Sequence, residues 1–216
     1  MKDPYLYSGT RTLINLLDEK DEQRLDEIEA NYTGLRLRQL VDNPIQGNFD
    51  FEHLCNVHKF IFQDLFSWAG KSRIINIEKP EAVLGGLSIE YTDFQNIQQE
   101  AKNACHKFQI IEWNHFELEQ KSEIFARCMA ELWKIHPFRE GNTRTVITFC
   151  CDFADKHGFP LNRALFKDNS IFVRRALVAC SAVFHDLGDK SQPQHLIRII
   201  FDAIKQGMTI SDFNSR

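Results

Sequence analysis

The segment 136–145, HPFREGNTRT, most constrains the fold because it separates two stretches with helical periodicity. Residues 114–135 before it and residues 143–158 after it repeat apolar side chains at intervals of three and four. Such intervals predict two amphipathic helices. Pro137 disfavours helical backbone at the residue before it, so the first helix is expected to end near His136. The segment is therefore predicted to be a polar loop that leads directly into a second helix.

The rest of the chain repeats the helical pattern, with one exception. Residues 73–78 and 87–91 are rich in β-forming side chains and flank a turn that contains proline and glycine. This arrangement predicts a short β-hairpin, which must pack on the helices because two strands alone are marginally stable. The sequence thus predicts a mainly α, single-domain fold with one small hairpin. Further helices are predicted over residues 21–41, 50–70, 171–184 and 192–206.

Composition and charge exclude several classes of protein. With 216 residues, 43% of them hydrophobic, the chain is large enough for one domain with a substantial core. The net charge of 26 − 30 = −4 gives no basic footprint for nucleic acid. No apolar run approaches the ~20 residues of a membrane-spanning helix, and the N-terminal residues lack the apolar stretch of a secretory signal. We therefore expect a cytoplasmic protein, with translocation by specialised secretion machinery left open.

The cysteines, the histidines other than His136 and two arginines are predicted to have ordinary structural roles. None of the six cysteines forms a CxxC pair, so they are predicted to be reduced, buried thiols. The eight histidines show no HExxH spacing, and all except His136 are interpreted as surface or packing residues. Two arginines of the segment FVRR, Arg174 and Arg175, lie on a helix that either faces the segment 136–145 or forms a solvated charged face, and we favour the solvated face.

The segment 136–145 combines residue types suited to binding phosphate. Phe138 is its only large apolar residue and is expected to anchor the loop to the core. Gly141 lets a ligand approach the backbone closely. Asn142 suits a helix N-cap, beyond which the first N–H groups of the helix would face a phosphate. Arg144, in the first helical turn, adds a bidentate donor for phosphate oxygens.

Two further side chains give this segment the means for chemistry. A carboxylate beside bound phosphates, here Glu140, is most simply a ligand of Mg²⁺. His136 alone would be interpreted as a capping or core residue, but beside these groups it is expected at the rim of a site as a base near neutral pH. The set predicts phosphoryl or nucleotidyl transfer.

Residues 136–144, here named the motif loop, resemble the signature of the Fic family, H-P-F-x-(D/E)-G-N-x-R. The segments YLYSGTRTLINLL and IFQDLFSWAGKSRIINI also resemble the N-terminal arm of that family and the helix that leads into its hairpin flap. The resemblance implies a single Fic (fido) helical domain over residues 46–206, with a flap over about 73–91. An arm and a helix over residues 1–45 would pack on this domain, and residues 207–216 would form a polar tail. The seven matching residues are His136, Pro137, Phe138, Glu140, Gly141, Asn142 and Arg144.

The resemblance also implies an activity, namely transfer of AMP from ATP to a Ser, Thr or Tyr hydroxyl of a target protein. His136 would be the catalytic residue that takes the hydroxyl proton, and Glu140 would hold Mg²⁺. The target would dock on the flap. The nucleotide would be bound by Gly141, Asn142, Thr143 and Arg144.

Two positions depart from the family pattern. The family commonly has glycine where this chain has Thr143, and often a second arginine where this chain has Ile147. These changes bear on nucleotide affinity and choice, and they leave open transfer of another nucleotide, transfer of a phosphoryl group, or a catalytically idle protein-binding scaffold. The phosphorylating branch usually has lysine at the position of Thr143, which argues against that alternative.

Many family members are inhibited by a helix that bears (S/T)-x-x-x-E-(G/N), and no serine or threonine of this chain has glutamate four residues later. Either a separate, antitoxin-like protein supplies the inhibitor, which we favour, or control is of another kind. The sequence is also compatible with a homo-oligomer, and it does not identify the target.

Overall fold

The computed structural model describes residues 3–214, with side chains described as far as residue 211, and helices dominate that part of the chain. Two short antiparallel strands, β1 (Val183–Phe184) and β2 (Gly188–Asp189), are the regular strands there. The prediction of a mainly α fold is therefore confirmed. The helices are α1 (Glu22–Asp42), α2 (Phe51–Phe62), α3 (Ile97–Ile110), α4 (Leu118–Ile135), α5 (Asn142–Lys156), α6 (Arg163–Asp168), α7 (Ser170–Cys180) and α8 (Gln194–Asn214).

Aspartate caps fix the starts of α1 and α2. The Asp21 carboxylate accepts a hydrogen bond from the backbone N–H of Arg24, and the Asp50 carboxylate accepts one from the N–H of His53, both at 2.8 Å. Each cap satisfies an N–H group that has no partner inside its helix. The sequence therefore marks these two helix starts clearly.

Helix α2 is shorter than predicted, because it ends at Phe62 rather than near Gly70. Past this point the chain turns, and the N–H groups of Leu65 and Phe66 both donate to the carbonyl of Phe62 at 3.0 Å. The turn buries Leu65 and Phe66 against α1 and the N-terminal arm. Apolar spacing alone does not distinguish this buried turn from a continued helix.

Helix α4 lies at the centre of the molecule, packed against α3, α5, α7 and α8, while α2 packs against α1 and α5. Its buried face includes Phe125, Met129, Leu132 and Trp133, which join the main hydrophobic core. A second cluster joins α1, α2 and Tyr5 of the N-terminal arm. The connection from α4 to α5 is the motif loop, so the packing of these two helices positions it.

The flap differs from its prediction. Residues 73–78 and 87–91 do not form regular strands, and a single antiparallel bridge between Pro80 and Ser88 closes the loop around a 3-10 turn at Ala82–Leu84. Proline has no N–H to extend a ladder, and the side chain of Ser88 takes the N–H of Lys79 at 2.9 Å. Side chains thus replace the ladder that the β-forming residues predict.

Two differences concern the C-terminal part of the chain. Helix α7 ends at Cys180, and residues 183–184 of the predicted helix form β1 instead. Helix α8 continues to Asn214 through most of the predicted tail, whose last two residues, 215–216, lie outside the described part of the chain. The domain boundaries at residues 45 and 206 stay predictions.

The cysteines agree only in part with their prediction as reduced, buried thiols. All six are free, and Cys105, Cys128, Cys150 and Cys151 are buried, whereas Cys55 and Cys180 are half-buried. None of the helices within residues 3–214 combines the length and apolar character that crossing a membrane requires.

Candidate functional site

The motif loop is braced by its own side chains. The Asn142 side chain accepts a hydrogen bond from the backbone N–H of Phe138 at 2.9 Å and donates one to the Phe138 carbonyl at 2.8 Å. Phe138 is fully buried, as predicted for an anchor. Gly141 has a φ of +81°, and a Cβ built on it would lie 2.2 Å from the ring of Phe62. Only glycine fits this position without displacing α2.

Helix α5 begins at Asn142, with Gly141 rather than Asn142 at the N-cap position. The prediction that Asn142 caps the helix is therefore wrong, because its side chain spans the loop instead. Within residues 3–214, the N–H groups of Asn142, Thr143 and Arg144 make no hydrogen bond. Three unpaired donors at the positive end of a helix form a site suited to an anion.

His136 ends α4 in a left-handed conformation, with a φ of +50°, and its side chain is only 1% exposed. The expectation that it sits at the rim of the site is wrong. Tyr91 of the flap covers it, since the two rings stack with centroids 4.1 Å apart. The ring of Trp133 lies edge-on to the imidazole at 5.1 Å. The flap thus shields the histidine from solvent.

The surroundings of His136 select one form of the imidazole. Its Nδ1 lies 3.2 Å from the Trp133 carbonyl, an acceptor, which assigns the ring proton to Nδ1 and leaves the Nε2 lone pair free. Nε2 makes no hydrogen bond within residues 3–214. Burial lowers the pKa of His136 well below its ordinary value, and the charges of Lys79 and Arg174 lower it further. The ring is therefore neutral at pH 7 and able to accept a proton at Nε2.

Glu140 is an ionised carboxylate paired with a cation from the flap. Its Oε2 lies 2.8 Å from the Lys79 ammonium, and its Oε1 accepts the N–H of Gly141 at 2.9 Å. Burial raises the pKa of Glu140, but Lys79, the Gly141 N–H and Arg144 together outweigh burial and hold the pKa at about 2. A positive charge is thus already accommodated at this carboxylate.

Lys79 occupies the position beside Glu140 where the predicted Mg²⁺ would bind. A carboxylate that accepts an ammonium group 2.8 Å away has the charge and the room for a divalent cation, and Mg²⁺ commonly takes one carboxylate together with phosphate oxygens. No group of three or more His, Cys, Asp or Glu residues that could hold a metal lies within the described residues. The Glu140 carboxylate fits an Mg²⁺ ion that takes its other ligands from nucleotide phosphates and water.

Arg144 is held by α1. Its guanidinium donates to the Glu29 carboxylate at 2.5 Å and to the Thr33 hydroxyl at 3.1 Å, and it lies 4.8 Å from the centre of the Phe62 ring. Burial raises the pKa of Glu29, while Arg144 lowers it in part. Sequence reasoning missed Glu29, because a glutamate on an amphipathic helix has no signature that links it to the loop.

Thr143, which replaces a glycine common in the family pattern, has a defined partner. Its hydroxyl accepts the indole N–H of Trp133 at 2.9 Å. The side chain is therefore turned towards α4, and it satisfies a polar group that is otherwise buried.

His58 of α2 is a second histidine at the site. Its ring stacks on Phe138, with centroids 3.8 Å apart, and its Nδ1 accepts the N–H of Gly70 at 2.8 Å. Nε2 therefore carries the proton and donates to the Glu140 carbonyl at 3.0 Å. Burial lowers the pKa of His58 to about 3. The prediction of a packing role holds, but the packing is against the motif loop.

Two more arginines tie the site to separate elements. Arg139 donates to Asp3 of the N-terminal arm at 2.8 Å, and Arg174 pairs with Glu81 of the flap at 2.5 Å. The interpretation of Arg174 as part of a solvated face is wrong, because this pair fastens α7 to the flap. The charged residues of the motif loop are thus bound to the arm, the flap and α1.

Comparisons with known sequences agree with this geometry. The sequence model of the Fic/DOC family matches residues 48–154. Protein adenylyltransferase VbhT of Bartonella schoenbuchensis is 31% identical over 74% of this chain and 32% of its own length. The probable protein adenylyltransferase y4lH of Sinorhizobium fredii is 32% identical over 76% of this chain and 81% of its own length. The chain thus spans about a third of the first relative and most of the second.

A solved structure supports the same fold. BepC, a VirB-translocated effector of Bartonella tribocorum crystallised with bound AMPPNP, superposes with a TM-score of 0.72 over 92% of this chain and 95% of that protein, at 21% identity. Fold, motif loop and sequence similarity agree, and the chain belongs to the Fic/DOC family.

Proposed function

We propose that this protein is a protein adenylyltransferase that transfers AMP from ATP to the hydroxyl of a Ser, Thr or Tyr residue of a target protein. The observation that carries the proposal is the motif loop itself. It combines a neutral imidazole with a free Nε2, three unpaired backbone N–H groups and one ionised carboxylate. The names of the two relatives and the AMPPNP bound to BepC support the same reaction.

In the proposed reaction His136 Nε2 accepts the proton of the target hydroxyl. The hydroxyl oxygen forms a bond to the α-phosphorus of ATP, the bond from that phosphorus to the bridging oxygen breaks, and diphosphate leaves with the electron pair. The Trp133 carbonyl keeps the Nδ1–H in place, so the lone pair stays on Nε2. Acid–base catalysis of this kind typically contributes ~10²–10⁴-fold.

The nucleotide phosphates would bind at the start of α5. The unpaired N–H groups of Asn142 and Thr143 and the guanidinium of Arg144 are the donors that we assign to them. Gly141 would contribute through the turn that presents these groups, since its own N–H donates to the Glu140 carboxylate. Glu140 would hold Mg²⁺, with Lys79 displaced. When bound, the ion would neutralise charge on the phosphate oxygens. Arg144 would keep its contact with Glu29, which fixes the direction of the guanidinium.

The flap has features of a surface that docks an extended peptide. The backbone groups of Ile77 and Glu78 make no hydrogen bond within residues 3–214. Ile74, Val83 and Leu87 are exposed by 62%, 47% and 49%. Unpaired backbone beside exposed apolar side chains suits β-pairing with a target segment, which tolerates varied target sequences.

Regulation and location are part of the proposal. The sequence carries no (S/T)-x-x-x-E-(G/N) segment, so we propose that a separate, antitoxin-like protein supplies the inhibitory glutamate. A homo-oligomer is also compatible with the exposed apolar side chains. We further infer a cytoplasmic site of action, because six free thiols and the use of ATP both suit that compartment.

Labelled ATP tests the reaction class. The purified chain is incubated with a cell lysate and Mg²⁺, once with α-labelled and once with γ-labelled ATP. Protein-bound label from the α-position alone is expected, and mass spectrometry identifies the modified hydroxyl. His136→Ala should lower the rate by ~10²–10⁴-fold, whereas His195→Ala, an exposed histidine of α8, should not. Label from the γ-position would establish phosphorylation instead, and no label from either would favour a protein-binding scaffold.

A further inference from the structure

Arg73, at the start of the flap, is a buried cation that the proposed reaction does not use. Its side chain is only 2% exposed. It makes five hydrogen bonds, and each ends on an uncharged oxygen. Burial of a charged guanidinium without a carboxylate partner costs hydration free energy. The planar set of donors must therefore hold its acceptors in a defined geometry.

Two of these bonds reach the end of α4. The Arg73 Nε donates to the His136 carbonyl at 2.9 Å, and Nη2 lies 3.5 Å from the Ile135 carbonyl. The backbone N–H of Arg73 also donates to the Pro137 carbonyl at 2.8 Å. Carbonyls at a helix C-terminus lack partners within the helix and carry partial negative charge, so a cation suits them. These bonds hold the turn in which His136 adopts a φ of +50°.

The remaining bonds reach both ends of the flap. Nη1 donates to the Ile75 carbonyl at 2.6 Å and lies 3.4 Å from the Asn76 side-chain oxygen. Nη2 donates to the carbonyl of Thr92, the residue that follows the flap. One guanidinium therefore joins the two ends of the flap to each other and to the backbone of His136.

We propose that Arg73 is a positioning residue that sets the orientation of His136 and couples it to the position of the flap. The catalytic part of this inference rests on the proposed function. Arg73 would touch neither nucleotide nor target. It acts through its bond to the His136 carbonyl and through its bonds to both ends of the flap. When a docked target displaces the flap, the bonds that orient His136 therefore change as well.

The shape of the side chain explains why this residue is arginine. The guanidinium presents five N–H donors in a planar fork, whereas lysine presents three donors from one atom. Lysine keeps the charge but cannot reach both flap ends and the α4 terminus together. Arg73→Lys thus separates the geometry from the charge, and it is less disruptive than Arg73→Ala.

The test measures turnover in Arg73→Lys, with Arg163→Lys as the matched control. Arg163 is half-buried rather than fully buried, and its partners Asp152 and Asp155 lie near the far end of α5. Displacement by about 1 Å can lower a rate ~10²-fold, so kcat in Arg73→Lys should fall by about 10–100-fold. The KM for ATP should stay within about threefold, because the phosphate donors at the start of α5 are untouched. Arg163→Lys should keep kcat per folded molecule.

A second measurement does not depend on activity. Hydrogen exchange should speed up in Arg73→Lys both in residues 74–92 and in residues 133–138, and Arg163→Lys should leave both segments unchanged. Added guanidinium, below denaturing concentration, should restore part of the activity of Arg73→Ala.

A kcat in Arg73→Lys equal to that of the wild type, or faster exchange in the flap alone, would overturn the proposal. If the wild type transfers no AMP, the proposed function fails by itself. The exchange result then still decides whether Arg73 couples the two segments.

Discussion

The motif loop and the flap enclose the same histidine, but different kinds of bond hold them. The motif loop is fixed from within, by two hydrogen bonds between Asn142 and Phe138. The flap has one backbone bridge and the backbone bonds of a tight turn at its tip, and side chains such as Arg73 and Ser88 complete its fastening. The loop is therefore part of the core, whereas the flap is fastened to it.

This difference predicts two kinds of opening. The loop buries Phe138 and Asn142, so it can open only when a large part of the core unfolds. The flap can move after the loss of a few side-chain contacts, among them the pairs Lys79–Glu140 and Glu81–Arg174. The proposed reaction must admit a protein target, which requires one rigid and one movable side, and the two segments divide these tasks.

The largest expected effect comes from Gly141→Ala in the motif loop. Alanine there combines a left-handed φ with a Cβ placed 2.2 Å from the Phe62 ring, so both backbone strain and overpacking destabilise the fold. We expect the free energy of unfolding, measured in urea, to fall by about 2–5 kcal/mol.

Gly158→Ala is the matched control for that loss. Gly158 has nearly the same φ, +78°, but nothing lies within 4 Å of the added Cβ. Gly158→Ala should therefore introduce backbone strain but no overpacking. The fall in the free energy of unfolding should be larger in Gly141→Ala by about 1–3 kcal/mol. Equal losses would show that the loop does not press against α2.

The next effect is the pH dependence that His58 gives to the loop. Its pKa is about 3 in the folded protein and about 6.5 in the unfolded chain, so the unfolded state binds more protons between these values. The contribution of His58 to the free energy of unfolding is therefore fully present above pH 6.5 and decreases as the pH is lowered. The slope of this decrease approaches about 1.4 kcal/mol per pH unit.

Urea unfolding of the wild type and of His58→Gln at several pH values between 5 and 7.5 measures this contribution. The pKa values of the buried His53 and His136 are also lowered, so both residues contribute a loss of stability at acid pH. This contribution is the same in the wild type and in His58→Gln. The slope of His58→Gln should therefore be shallower by up to about 1.4 kcal/mol per pH unit. Identical slopes would mean that the pKa of His58 is the same in the folded and the unfolded protein.

The contrast between the two segments also explains what the sequence could predict. The helices, the buried Phe138 and the grouping of site residues on one loop follow from local patterns, namely apolar periodicity, proline and glycine positions, and a compact motif. The role of Asn142 as a brace does not, because amide side chains suit both caps and loops. Its bonds depend on a loop shape that Phe62 and Gly141 fix together.

The residues that cover the site were not predictable for a different reason. Glu29, Lys79, Tyr91 and Arg174 come from α1, the flap and α7, and each is ordinary in its own segment. They become part of the site only through tertiary packing. Burial of His136 beneath Tyr91 likewise cannot be inferred from residues 45 positions apart along the chain.

A smaller effect is expected where the two segments meet, at the pair between Lys79 and Glu140. Lys79→Met removes the cation that competes for the carboxylate, so Mg²⁺ should bind more readily. A partly exposed pair of this kind is worth ~0.2–1 kcal/mol, which corresponds to a fall of up to about fivefold in the half-saturating Mg²⁺ concentration. Calorimetry of Mg²⁺ binding with AMPPNP measures it without turnover.

Lys71→Met is the matched control for that measurement. Its ammonium bonds the Ser67 carbonyl and lies on the approach to the flap, outside the site. It should leave the Mg²⁺ dependence unchanged. A weaker affinity for Mg²⁺ in Lys79→Met would mean that the lysine assists the ion rather than competing with it.

The most local effect is expected from Ser88→Ala, which tests whether the flap opens independently of the loop. The hydroxyl of Ser88 accepts the N–H of Lys79 at 2.9 Å, and its loss should destabilise the flap locally by about 0.5–1.5 kcal/mol. The amide of Lys79 should exchange up to about tenfold faster, while the amide of Phe138, bonded to Asn142, should not change. Ser72→Ala, in which the lost hydroxyl makes no hydrogen bond within residues 3–211, controls for the substitution itself. Faster exchange at Phe138 would show that flap and loop open together, and the division between a rigid and a movable side would then fail.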